Sequence, residues 1–105
     1  MPDKSALPAS DDFLPHVHGT FQVQYGAAEP LSFELIEVTE LARHTASEAR
    51  QPFSLIFLGP PSDRYLMQHT YRFDHEVLGS LDLFIVPLGP SSTQPERMRY
   101  QVIFN

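Results

Sequence analysis

The 105 residues include 42% hydrophobic side chains, with eight Phe, four Tyr and no Trp, and this apolar content excludes wholesale disorder while the length holds only one domain with one core. Cysteine is absent, which excludes a disulfide framework, a thiolate metal site and a cysteine nucleophile. Seven Lys plus Arg, never clustered, stand against thirteen Asp plus Glu for a formal net charge of -6, so neither nucleic acid nor an anionic membrane is an expected partner.

Residues 1–9 read as a flexible tail and residues 10–105 as a single β domain. Met1 to Ser10 holds one Lys, two Pro and no apolar run, unlike a signal peptide or membrane anchor, and no stretch approaches the roughly 18 apolar residues of a membrane helix. A cytoplasmic protein is the resulting expectation. Acidic residues gather early: Asp3, Asp11, Asp12, Glu29, Glu34, Glu37, Glu40 and Glu48 face only Lys4, Arg43 and Arg50, a bias that serves solubility.

Ser10 reads as a helix N-cap, with Asp11 and Asp12 where a helix dipole favours anions and Phe13, Leu14 and Val17 as an apolar edge. The helical turn ends before Gly19. From Thr20 strict alternation sets Phe21, Val23 and Tyr25 on one face and Gln22 and Gln24 on the other, a half-buried strand that stops at the turn Gly26–Pro30. Leu31, Phe33 and Leu35 continue the alternation, but Ile36 and Val38 carry it in opposite phase, which predicts a bulge near Leu35 and Ile36. Leu31, Leu35, Val38 and Leu41 also fit helical spacing; the Phe, Ile, Val and Thr content selects strand for 31–41. Residues 42–52 form the longest polar connection.

Phe53 to Leu58 is apolar at nearly every position, the mark of a strand covered on both faces. Gly59, Pro60 and Pro61 end it. A strand returns through Thr70 to His75, a tight turn at Gly79 leads to Leu81, Leu83 and Ile85, and the run to Leu88 is again apolar on both faces. The last strand alternates Met98, Tyr100, Val102 and Phe104. Leu58-Gly59-Pro60-Pro61-Ser62 is echoed by Leu88-Gly89-Pro90-Ser91-Ser92, as two similar hairpins side by side would give. The fold expected is mainly β: about six antiparallel strands in a sandwich or partly open barrel, with one short N-terminal helix.

The spacing His16-Val17-His18, with His69 and His75 as further candidates, is the only metal-like pattern, and it reads as solvent-facing or capping histidines with no metal expected. No Glu follows the pair closely, and on a helical turn the two rings diverge by about 200°. Tyr71, Phe73 and His75 share a strand face that Tyr65, Met67 and His69 extend, a pattern of a ligand-lined barrel or of an aromatic core with polar tips at its rim. Asp74, His75 and Glu76 alternate across a strand and cannot converge as acid and base. Arg64, Arg72, Arg97 and Arg99 would form a polar stripe on adjacent hairpins. No serine elbow or phosphate-cradling glycine loop is present.

Pro52-Phe53-Ser54-Leu55-Ile56-Phe57, Gly59-Pro60, Gln68, Tyr71, His75, Leu78-Gly79, Phe84-Ile85-Val86-Pro87 and the closing Arg99-Tyr100 to Phe104-Asn105 resemble a family of small bacterial proteins classed as a domain of unknown function. The resemblance covers about residues 12–105. It implies no activity, cofactor or catalytic residue, and, through phage-tail-like collar genes near its members, an assembly or accessory role. The function expected is therefore a non-enzymatic protein-interaction or assembly module with a protein partner and no cofactor. The polar loop residues Arg43, His44, Ser47, Glu48 and Arg50 are its binding candidates, since a rigid scaffold would present them. The alternative is a small-molecule-binding β-barrel, or a metal-dependent enzyme using His16, His18, His69 or His75.

Overall fold

Alternation along each strand becomes inside and outside in a barrel. The computed structural model describes residues 9–26, 29–41, 51–62 and 65–104. Among these, six strands follow one short helix: α1 (Ser10–Phe13), β1 (Thr20–Val23), β2 (Leu31–Glu40), β3 (Phe53–Pro61), β4 (His69–His75), β5 (Gly79–Pro90) and β6 (Arg97–Phe104). Every pairing is antiparallel, and the order β1-β2-β3-β6-β5-β4 closes on itself. The sandwich or partly open barrel expected from sequence is thus corrected to a closed barrel. Closure rests on a short seam, Gln22 opposite Asp74 and Val23 opposite Phe73, extended where the Gln24 N–H donates to the Arg72 carbonyl at 2.9 Å.

Aromatic rings fill the barrel. Phe13, Phe21, Phe33, Phe53, Phe57 and Phe73 are fully buried, and Phe57 meets Phe21 and Phe73 at centroid distances of 5.2 and 5.0 Å. A six-stranded barrel is narrow enough for inward side chains alone to pack it. Residues 31–40 are strand, and the register slips between Leu35 and Glu37, opposite Phe57 and Ile56, leaving Ile36 as the extra residue. Its phase reversal is the bulge predicted above.

β3 is buried on both faces: Phe53, Leu55 and Phe57 point inward, while Leu58 stands in register between Glu34 and Arg99. β5 departs from expectation. Leu83 and Ile85 are buried, but the alternate residues Phe84 and Leu88 remain at the surface. The two echoed segments are not twin hairpins either, because β3 pairs with β2 and β6, and β4 pairs with β5 and β1. Both echoes flank β6 at the same barrel end, and each carries a register shift against it.

The other end is stoppered by α1. Phe13 packs against Phe53 and Phe104 at 5.9 and 5.7 Å, and Phe104 stacks on Phe53 at 4.6 Å with the planes 8° apart. Ser10 is the first helical residue, not the N-cap: its hydroxyl donates to Glu40 Oε2 at 3.0 Å, while Asp12 Oδ2 accepts the Ala9 N–H at 2.8 Å. A partner across the fold outcompetes a cap to the helix's own backbone. The tail reading concerns residues 1–8, which lie outside the described residues, and Ala9, which is exposed.

Candidate binding site at the barrel mouth

Opposite the Phe13 stopper, β1 runs out at Val23 beside Leu31, β3 ends at Pro61 beside Arg97, β4 begins at His69 and β5 ends at Pro90 beside Met98. All four tyrosines of the chain gather at this mouth. Tyrosine suits it, with an apolar body for the core and a polar tip for water or partners.

Two tyrosines hold the segment that crosses the mouth from β3 to β4. Tyr100 stacks on Phe33 at 4.9 Å, and its hydroxyl oxygen accepts the buried Leu66 N–H at 2.9 Å. Tyr71 donates its hydroxyl to the Met67 carbonyl at 3.0 Å. Leu66 is consequently buried as a plug while Met67 is exposed. Gly59 allows the close fit, since a Cβ there would stand 3.0 Å from Tyr100 Cε2. Burial raises both phenol pKa values above the ordinary 10.0, with the neighbouring phenols adding to the rise and the backbone hydrogen bonds opposing it. Both rings stay neutral at physiological pH.

Tyr25 and Tyr65 are the exposed pair, although the Tyr25 ring also meets Tyr71 at 6.4 Å. They are 49% and 57% exposed, which leaves ring surface for another molecule. With Leu31, Phe33, Pro60, Ser62, Leu66 and Tyr100 they line a cavity of about 240 Å³.

At the stoppered end lies an open groove of about 730 Å³ that includes His16, His18, Asp74, His75 and Glu76. The rings of His16 and His75 stand 4.4 Å apart, so the structure unites these two of the four sequence candidates. His18, at a positive φ of 75°, turns to Glu34 with Nδ1 3.5 Å from Oε2, and His69 lies at the tyrosine mouth, 5.4 Å from Tyr71. The His16, His18, His69 and His75 set therefore does not converge, because β4 carries His69 and His75 to opposite ends of the barrel. His75 is held by the β4–β5 turn: Nδ1 accepts the N–H groups of Val77 at 3.0 Å and Leu78 at 3.1 Å, which places its ring proton on Nε2 in the neutral form. Burial foremost, and then His16, lower its pKa against the pull of Glu76. Among the described residues no group of three or more His, Asp or Glu is arranged to hold a metal ion.

Asp74 is engaged structurally, accepting from Ser80 Oγ at 2.6 Å, Gln24 Nε2 at 2.8 Å and Arg72 Nε at 2.9 Å, and these bonds, Ser80 first, lower its pKa. No acid–base pair forms between Asp74, His75 and Glu76. The arginine stripe does not form either, since β5 separates Arg72 from Arg97 and Arg99, and Arg64 lies outside the described residues. Arg97 instead donates Nε to the Gly59 carbonyl at 2.6 Å and approaches Glu34 at 3.6 Å. The loop candidates Arg43, His44, Ser47, Glu48 and Arg50 also lie outside the described residues. Sequence reasoning placed Tyr65 and Tyr71 on one face but missed Tyr25 and Tyr100 as their companions.

A family model described as a domain of unknown function (DUF6916) matches residues 8–104. No curated protein and no solved structure matches the chain.

Proposed function

The chain belongs to that family of unassigned function, and from its geometry we propose a non-enzymatic protein-interaction module that docks a partner at the tyrosine-lined mouth. One observation carries this reading: the barrel interior is filled by six fully buried phenylalanines, while two tyrosines stand half exposed over a cavity of about 240 Å³. Sites for drug-sized ligands usually span about 300–1,000 Å³ and bury most of the ligand. This mouth is smaller, and suits the anchoring of one or two side chains from a larger partner. Tyrosine is enriched at protein interfaces because it supplies rigid contact area with a polar tip.

The setting we propose is accessory work in an assembly, such as a tail-like one. The small-molecule barrel stands second, since packed aromatic rings occupy the volume such a ligand would need.

A photoreactive aromatic residue in place of Tyr65 tests the reading in the cells the protein comes from. The same residue in place of Val77, which is 69% exposed at the stoppered end, serves as control. A discrete protein adduct from position 65 and none from position 77 is the expected result. Equal labelling from both positions, or none from position 65, would overturn it.

A further inference from the structure

We propose that the stoppered end carries an acid-operated latch, in which a proton on Nδ1 of His75 frees the turn between β4 and β5 and uncovers the aromatic core behind it. Three contacts meet at this ring. Its Nδ1 accepts the N–H groups of Val77 and Leu78, its face lies on fully buried Phe21 with centroids 4.5 Å apart, and the His16 ring stands across it at 4.4 Å. A neutral imidazole that accepts at Nδ1 carries its hydrogen on Nε2, so the proton that makes it cationic has to enter at Nδ1. Closed turn and charged ring therefore exclude each other. Protonation converts the acceptor of two N–H groups into a donor that faces them. Leu78, partly buried against the core, is the side chain that leaves with the turn.

The groups around the ring do not rescue the closed form. Glu76, in the turn, favours the charged ring, and the face of Phe21 attracts a cation, but neither takes the place of Nδ1 as acceptor. From the 3-10 turn Leu14–His16, a second proton on His16 would set like charges on adjoining rings. Asp74, the preceding residue on β4, is taken up by Ser80, Gln24 and Arg72, and His18 turns to Glu34. β1 presents uncharged Thr20, Phe21 and Gln22, and β5 sets Gly79 opposite His75. Burial first, and then His16, lowers the pKa of the ring in the closed form below the ordinary 6.5. The open form consequently binds the proton first as pH falls, and acid opens the latch.

Nuclear magnetic resonance on the intact protein between about pH 8 and 5, the window in which histidine titrates, reads the ring and the turn together. The His75 ring should be the Nε2–H form at the upper end. As it titrates, the exchange protection of the Leu78 amide should fall at least about tenfold, the scale set by a buried donor left unpartnered. Protection of the Phe57 amide in β3 should hold, which separates local opening from unfolding. His75→Asn supplies a side-chain oxygen that accepts from the same turn without titrating, and in that variant Leu78 should stay protected throughout. A ring still neutral at about pH 5, or Leu78 protection unchanged while the ring titrates, would overturn the latch. So would loss of Leu78 protection together with that of Phe57, or its loss at the same pH in His75→Asn. Should that variant not fold, the parent decides: coincident midpoints for the His75 ring and the Leu78 amide support the latch, and separate midpoints overturn it.

Discussion

Tyr100→Phe removes one oxygen from the mouth and should destabilise the protein measurably. The ring keeps its place on Phe33, so burial and stacking are retained. What is lost is the acceptor for the Leu66 N–H, within a residue that is only 4% exposed. A buried donor left without a partner costs about 1–3 kcal/mol. Partial hydration through the adjoining cavity favours the lower half, so about 1–2 kcal/mol is expected. At this chain length each kcal/mol lowers Tm by about 4–8 °C. The matched control is Tyr71→Phe, which removes a hydroxyl donated to the carbonyl of Met67, a residue 75% exposed, where water replaces the donor. That variant should stay within about 0.5 kcal/mol of the parent. Urea titrations followed by far-ultraviolet circular dichroism measure both, with the midpoint moving at constant slope for Tyr100→Phe. Equal effects of the two substitutions, or a change under about 0.5 kcal/mol for Tyr100→Phe, would refute the idea that Tyr100 staples the crossing segment.

Phe13→Ala should cost about 3–5 kcal/mol by opening a cavity beneath Phe53 and Phe104, and a near-neutral denaturant titration would show that α1 does not stopper the barrel. Gly59→Ala should destabilise by about 1–3 kcal/mol, because the new Cβ presses on a Tyr100 ring already fixed by Phe33 and Leu66; scanning calorimetry against the parent decides it. Burial lowers the His75 pKa in the fold, so the unfolded chain binds the proton first as pH falls, and stability is lost once pH drops through about the ordinary value of 6.5. His75→Gln should flatten that part of the melting-temperature profile between neutral and mildly acidic pH, and an unaltered profile would remove His75 as its cause.

The legible parts of the sequence were those set by side-chain period. The phase reversal at Ile36 gave the bulge, the nearly continuous apolar run of β3 gave the strand covered on both faces, and Phe21 and Val23 declared the inner face of β1. Closure was not legible, because it depends on two residue pairs, Gln22 with Asp74 and Val23 with Phe73, and no local period encodes a pairing between distant strands. Ser10 looked like a cap because its competing partner, Glu40, lies thirty residues away. The mouth was hidden for the same reason: Tyr25, Tyr65, Tyr71 and Tyr100 lie on different strands and connections, and only the barrel order brings them to one end. The histidine pair His16 and His75 is likewise tertiary, whereas the doubt about His16 with His18 followed from local geometry alone.

The central claim is that the exposed tyrosines of the mouth bind a protein partner without supporting the fold. Its most direct test is the affinity, measured by titration calorimetry, of the partner captured at position 65 for the parent protein and for the double variant Tyr25→Ser/Tyr65→Ser. Two truncated aromatic anchors at about 1.4 kcal/mol or more each should weaken binding by about a hundredfold or more. The melting temperature should stay nearly constant, as both residues are half exposed. Undiminished affinity at unchanged melting temperature would contradict the account.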